Sequence, residues 1–206
     1  MNEKFFSLPE KRQDLIRSSA MLEFGENTFK KTSADAIAKR AGVSKGLLFH
    51  YFKDKRELYL YLYQYALDVC VKHYMLKSYD FGETDFFLAL EIGHKVKMDL
   101  VRRYPGLFRF VMRTYYERDS VLSPKLRQGL DDLMESTIRD FLSRMDLYKF
   151  KDGVDPYQVI RLLLLASEGM LAETNASSAE EINALFAEYK RHADMLRQFL
   201  YKEEYL

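Results

Sequence analysis

At 206 residues and 48% hydrophobic side chains the chain can bury a substantial core, which argues against disorder; with no stretch near the roughly 18 apolar residues of a bilayer span, no membrane-spanning helix is expected. Its 32 basic and 31 acidic residues nearly cancel, but residues 1–60 hold 12 Lys and Arg against 8 Asp and Glu, leaving 20 against 23 for the remainder, so the basic excess is N-terminal. A single cysteine, Cys70, excludes an intramolecular disulfide, and with an N-terminus that lacks the apolar core of a secretory signal it points to the cytoplasm.

Prolines and glycines fall where the helical period breaks, and no sustained alternation marks a strand, so an all-α chain is predicted. Ser7 and Glu10 have the spacing of a capping box, and a helix over about 8–24 is expected to follow. Two short helices, about 33–40 and 44–51, are separated by Ala41-Gly42-Val43, where Gly42 can take the left-handed conformation that stops a helix. That is a helix-turn-helix outline. Asp54 then caps a long helix to about residue 77, on the order of 35 Å at the usual rise per residue. Further helices are predicted at about 85–103, 106–118, 124–147, 156–174 and 179–203, with Pro105, Pro124 and Pro156 at or just before first-turn positions. About nine helices result, joined by short loops.

The informative stretch runs from Thr32 to Leu58. Its apolar positions Ile37, Ala38, Ala41, Val43, Leu48 and Phe52 have the spacing two short crossed helices need to share one core, which leaves their other face free. Ser44 starts the second helix with a capping hydroxyl, placing Lys45 and Gly46 at the end from which a recognition helix reaches base edges. A lysine there can donate to guanine O6 and N7, and a residue without a side chain lets the backbone come close. Leu47 and Phe49 complete the expected base-reading set. Thr32 and Ser33 open the preceding helix, His50 and Tyr51 end the recognition helix, and Lys53 and Lys55 stand at the start of the long helix. All six are expected to hold phosphates and so fix the register.

This segment resembles the DNA-binding domain of the TetR family, in which a pattern like T-x-x-x-I-A-x-x-A-G-V-S-K-G-x-L-Y-x-Y-F-x-x-K-x-x-L recurs; nearly every element of it is present between Thr32 and Leu58. The resemblance covers about a quarter of the chain. It implies a three-helix helix-turn-helix domain over 1–53 and a helical effector-binding and dimerisation domain over 54–206. Two departures change the chemistry: Phe49 stands where the family usually has tyrosine and Leu47 where it often has threonine, so two hydroxyls are lost and apolar contact, for instance with a thymine methyl, takes their place. Thr28 replaces a turn glycine before Phe29, which suggests a different loop.

The remainder is rich in aromatics and methionines, among them Tyr59, Tyr61, Tyr63, Tyr65, Phe86, Phe87, Met98, Phe110 and Met170, which at helical spacing are first of all core. In the family such residues line an apolar ligand cavity. The resemblance singles out Phe108, Met112 and Tyr115, which share one helix face at i, i+4 and i+7. The segment from Asp155 to Leu171 is apolar on nearly all sides and needs burial on nearly all sides. With Ala166, Ser167 and Gly169 there, and Leu185, Tyr189, Leu196 and Phe199 in the last helix, the resemblance implies a homodimer through the last two helices. Glu168, a carboxylate among apolar neighbours, is suited either to a cationic ligand or to an ion pair with Arg161 or an arginine of the partner subunit.

His73, His94 and His192 lack the paired spacing of a metal site, and no nucleophile elbow, phosphate loop or dinucleotide glycine pattern occurs. No catalytic residue, metal or cofactor is therefore expected. The resemblance implies a regulator, in most such proteins a repressor, whose dimer grips a palindromic operator of double-stranded DNA and responds to a small-molecule effector. Two alternatives stay open on the residues: an architectural DNA-binding factor without effector, and a helical enzyme carrying a vestigial DNA module.

Overall fold

A computed structural model describes residues 3–78, 82–104, 106–116, 124–173 and 179–206. These residues form ten α-helices, two single turns of 3₁₀ helix and one isolated β-bridge, between Phe150 and Tyr201, so the chain is all-α as its periodicity predicts. The additional helix is α1 (Glu3–Phe6), four residues long and too short to leave a periodic signal. It displaces the predicted capping box. The Ser7 hydroxyl donates to the Lys4 carbonyl at the end of α1, and α2 (Glu10–Glu26) starts after Pro9 with no side-chain cap. A carboxylate instead caps α5 (Lys55–Ser78), where Asp54 accepts from the Glu57 N–H at 2.8 Å and Glu57 reaches back to the Lys53 N–H. Pro105 lies outside the described residues, whereas Pro124 and Pro156 open α8 (Pro124–Leu142) and α9 (Pro156–Glu173).

The chain gathers into two compact units, one of residues up to 72 with 103–124, the other of 73–102 with 125–206. The first holds α1, α2, α3 (Ala34–Arg40), α4 (Lys45–Tyr51), most of α5, and α7 (Leu107–Tyr116). Ile16, Ile37, Leu48, Phe52, Leu62 and Phe110 are fully buried in it. Helices α2 and α7 press together. A Cβ on Gly25 would sit 3.1 Å from the Phe110 nitrogen, and one on Gly106, at φ +83°, 2.8 Å from the Leu22 nitrogen. A Cβ on Gly106 would displace the Leu22 backbone, and one on Gly25 would be tighter than ordinary Cβ contacts, so the approach of two backbones favours glycine at both. Phe24, Phe29, Tyr59 and Phe110 interlock around this seam with ring centroids 5.0 to 6.1 Å apart, and the Tyr59 hydroxyl bonds the Thr114 hydroxyl at 2.8 Å.

In the second unit, α6 (Phe86–Arg103), α8, α9 and α10 (Ala179–Leu200) enclose a core that includes Phe86, Phe87, Ile138, Phe150, Leu163 and Tyr201. Asp85 caps α6, accepting from the Phe87 and Leu88 N–H groups, and its other oxygen takes a 3.1 Å bond from the half-buried Lys149. The Lys151 N–H donates to the Leu200 carbonyl and the Lys202 N–H to the Lys149 carbonyl, clasping the C-terminal segment over Phe150. One polar chain crosses this core. Lys97 Nζ donates to Ser167 Oγ at 3.1 Å, and Ser167 Oγ lies 3.4 Å from His94 Nδ1, all three side chains being buried. The His94 ring stacks on Tyr189 at 3.9 Å, and burial, with Lys97 nearby, pushes its pKa from 6.5 down to about 3.

Candidate nucleic-acid interface

Each helix of the helix-turn-helix begins with a serine in extended conformation. Ser33 Oγ accepts from the Asp35 N–H at 3.2 Å, and Ser44 Oγ from the Leu47 N–H at 3.1 Å. Between them Gly42 sits at φ +62°, the left-handed conformation its place in the turn requires, and Arg12 of α2 donates to its carbonyl at 2.9 Å. Arg40 ties α3 back to α2 through Glu23 and Glu26. The angle between α3 and α4 is thus held by their shared core and by side chains from α2.

This packing divides the residues of α4 by their place on the helix. Leu48, Tyr51 and Phe52 are buried, while Ser44, Lys45, Gly46, Leu47 and His50 are exposed and Phe49 is half-buried. Gly46 answers to no internal constraint: a Cβ there would meet only Ser44 Oγ, at 4.0 Å. Lys45 Nζ bonds Asp35 Oδ2 at 2.8 Å, with both side chains at least half exposed. Ser33 and Lys53 are exposed at the flanks.

Three of the flanking residues have partners inside the unit. Thr32 is buried and its hydroxyl donates to the Thr28 carbonyl at 3.0 Å. Lys55 donates to the carbonyls of Phe29 and Thr32 at 2.7 and 2.9 Å and lies 4.4 Å over the Phe29 ring. Its ammonium closes the turn that Thr28 begins, where Thr28 Oγ1 accepts from the Lys31 N–H. Tyr51 packs edge-on to Phe5 at 6.0 Å, and Phe5, fully buried, also meets Phe52 and Tyr61 at 4.9 and 5.4 Å. Sequence reasoning missed Phe5. The Phe5-Phe6 doublet precedes any periodic segment and left only its hydrophobicity as a signal.

Beside this surface Arg17 is threaded through aromatics, donating to the Tyr61 hydroxyl at 2.8 Å and stacking on Tyr65 at 4.6 Å. Burial raises the pKa of Tyr61 and Tyr65, with Arg17 opposing the rise, so both remain neutral phenols. A groove of about 770 Å³ runs past Arg17, Leu60, Tyr61, Gln64 and Tyr65.

On α7 the residues expected to touch an effector take one side: Phe108 and Met112 are half-buried, whereas Leu107, Phe110 and Thr114 are buried. The Tyr115 side chain lies outside the described ones. Tyr59, Tyr63, Phe86, Phe87 and Met98 are buried, as ordinary core residues would be. Glu168 is half-buried on α9, and Arg161 is exposed, near the Tyr157 ring. A second groove, about 530 Å³, lies between α6 and α10 beside Val96, Met98, Arg102 and Phe186. Among the described residues no group of His, Cys, Asp or Glu is arranged to hold a metal, and no helix is long and apolar enough to cross a membrane.

The chain matches the model of the bacterial regulatory proteins of the tetR family over residues 16–62, which span the described helix-turn-helix and the start of α5. An HTH-type transcriptional regulator of Staphylococcus aureus (strain MRSA252) is 26% identical over 127 residues, 58% of this chain and 69% of that protein. Among solved structures, a TetR family transcriptional regulator from Chloroflexus aurantiacus J-10-fl superposes with a TM-score of 0.71 at 21% identity over 98% of this chain and 99% of that one. The ketosteroid transcriptional regulator KstR2 of Mycobacterium tuberculosis reaches 0.72 at 15% identity over 96% and 98%. AibR, solved with isovaleryl coenzyme A and operator DNA, reaches 0.56 at 17% identity over 87% and 97%. The helix-turn-helix segment, the relative that shares it and the all-helical architecture around it agree: residues 16–62 form a DNA-binding helix-turn-helix of the tetR family, set in an all-helical fold like that of TetR family transcriptional regulators.

Proposed function

We propose that the protein is a repressor that grips a palindromic operator as a homodimer and changes its DNA affinity when a small molecule binds. One observation carries the DNA-reading assignment: the first turn of α4 exposes Lys45, Gly46 and Leu47 while the rest of the helix is anchored by Leu48, Tyr51 and Phe52. In this assignment Lys45, Gly46, Leu47 and Phe49 read bases, and Ser33, Ser44, His50 and Lys53 hold phosphates. Tyr51 offers only its residual exposed edge. Thr32 and Lys55 contribute by fixing the turn before α3 rather than by lending free donors.

Dimerisation is assigned to α9 and α10. Leu162, Leu165 and Gly169 share one exposed face of α9, and Met195 and Phe199 share one of α10, with Leu162 57% and Phe199 68% exposed. Apolar side chains one helical turn apart and left open to water, at i and i+3 on α9 and i and i+4 on α10, are the mark of a face awaiting a partner. Ser167, Leu185 and Tyr189, expected at that face, are buried within the protomer. A two-fold pair would set its recognition helices one DNA turn apart, roughly 34 to 36 Å.

Effector binding is assigned by likeness to AibR, which was solved with both a ligand and DNA. Phe108, Met112 and Tyr115 on α7 and Glu168 on α9 are proposed as ligand contacts, the first three in one compact unit and the last in the other. The protein acts as a regulator and not as a catalyst, in the cytoplasm where its DNA lies. The test is selection from a pool of random duplexes. The wild type should enrich a two-fold symmetric sequence, and Lys45→Ala should lose preference at one base pair per half-site, about 1 to 3 kcal/mol of discrimination. Recovery of unselected sequence by the wild type would refute the proposal.

A further inference from the structure

The recognition helix has two basic residues, Lys45 and His50, and Lys45 is held in an ion pair by a carboxylate of the neighbouring helix. Asp35 sits in the first turn of α3, one position past the Ala34 that opens the helix, and its side chain is 67% exposed against 52% for Lys45. An exposed pair of this kind adds little to stability, since water and salt screen it. Its placement gives it another consequence. The N-terminal turns of α3 and α4 are the parts of the motif that a duplex approaches, so the carboxylate stands where phosphates come near and is bonded to the lysine that meets base edges.

We propose that Asp35 is a specificity-determining residue, which neutralises Lys45 in the free protein and yields it only to a base edge offering two acceptors. The proposal rests on the assignment of Lys45 to base reading. Against a phosphate of arbitrary sequence Lys45 would exchange one oxyanion for another and leave the Asp35 carboxylate stranded beside a negative backbone. Against guanine the ammonium meets O6 and N7, neutral acceptors that do not repel Asp35 as a phosphate does. The carboxylate thus subtracts from sequence-independent affinity more than from specific affinity, and discrimination rises by the difference. Three of the cations nearby are committed elsewhere: Arg40 to Glu23 and Glu26, Lys55 to two carbonyls, Arg12 to the Gly42 carbonyl.

The experiment uses the full chain as wild type, Asp35→Asn, Lys45→Gln and the double variant. Each is titrated with a scrambled-sequence duplex between 50 and 200 mM salt and with the duplex enriched by the wild type. Asp35→Asn should bind the scrambled duplex about fivefold tighter, with a slope of log affinity against log salt steeper by about 0.9 for each protomer engaged. In the Lys45→Gln background that steepening should vanish, because the released charge belongs to the lysine. A purely structural Asp35, serving the α3 dipole, would shift the melting temperature equally in both backgrounds and leave the slope alone; that result overturns the proposal. Equal steepening with and without Lys45 overturns it too, since Asp35 would then repel phosphate unaided. If the wild type enriches no sequence, the base-reading assignment falls and this proposal with it, whereas an enriched sequence with an unchanged Asp35→Asn slope removes this proposal alone.

Discussion

Gly46 is a residue whose presence inside a helix has a cost and no internal return. Glycine in a helix is disfavoured by up to about 1 kcal/mol against alanine, and a Cβ here would meet only Ser44 Oγ, at an unstrained 4.0 Å. Its neighbours Lys45 and Leu47 are exposed, so an approaching backbone is what the vacancy suits. Gly46→Ala should therefore raise stability by about 0.5 to 1 kcal/mol, visible as a higher melting temperature, while weakening binding to the selected duplex on the order of tenfold. Opposite signs in the two measurements are the diagnostic. A variant both more stable and equally tight would leave Gly46 with no role in DNA approach.

Between residues and the whole stand the helix junctions, and the one where α6, α9 and α10 meet around His94 is titratable. Because burial holds the folded pKa at about 3 against 6.5 in an exposed chain, the unfolded state binds a proton below pH 6.5 that the folded state refuses. The stabilisation is complete above pH 6.5 and is lost as pH falls toward 3, at a rate approaching about 1.4 kcal/mol per pH unit. Urea unfolding at pH 7.5, 6.5 and 5.5 should show this loss in the wild type and not in His94→Phe, which keeps the stack on Tyr189. The sequence showed His94 only as an isolated histidine; its neighbours Ser167 and Tyr189 are more than 70 residues away, and no local pattern brings them together. By contrast, what is local was legible: the caps Ser44 and Asp54, the left-handed Gly42 and the buried Leu48 and Phe52 follow from spacing within a few residues. Lys55 fell between these cases. Its charge and position suggested phosphate, but the carbonyls that hold it come from a turn more than 20 residues earlier. The same limit explains Ser7, whose capping spacing was read without the four-residue helix that claims its hydroxyl.

For the whole molecule, the assigned dimer makes DNA affinity depend on two copies acting together. Phe199 is the most exposed of the large apolar residues of α10 and takes no part in the buried core of its own protomer. Phe199→Asp should leave the helix content intact and shift sedimentation at micromolar concentration from dimer to monomer. It should also abolish the preference for two half-sites over one, since the second half-site counts only when the protomers are joined. A variant that stays dimeric would move the interface off α10.

The glycine seam between α2 and α7 carries one more implication. Where two backbones approach this closely, the contact itself has no rotamer to change and little room to slide closer. Helix α7 stands between two of the points, near 102 and 124, where the chain leaves one compact unit for the other, while α2 is bonded through Arg12 and Arg40 to the turn and helix that carry Lys45's neighbours. A displacement of α7 would therefore bear on α2 directly, backbone against backbone at Gly25 and Phe110.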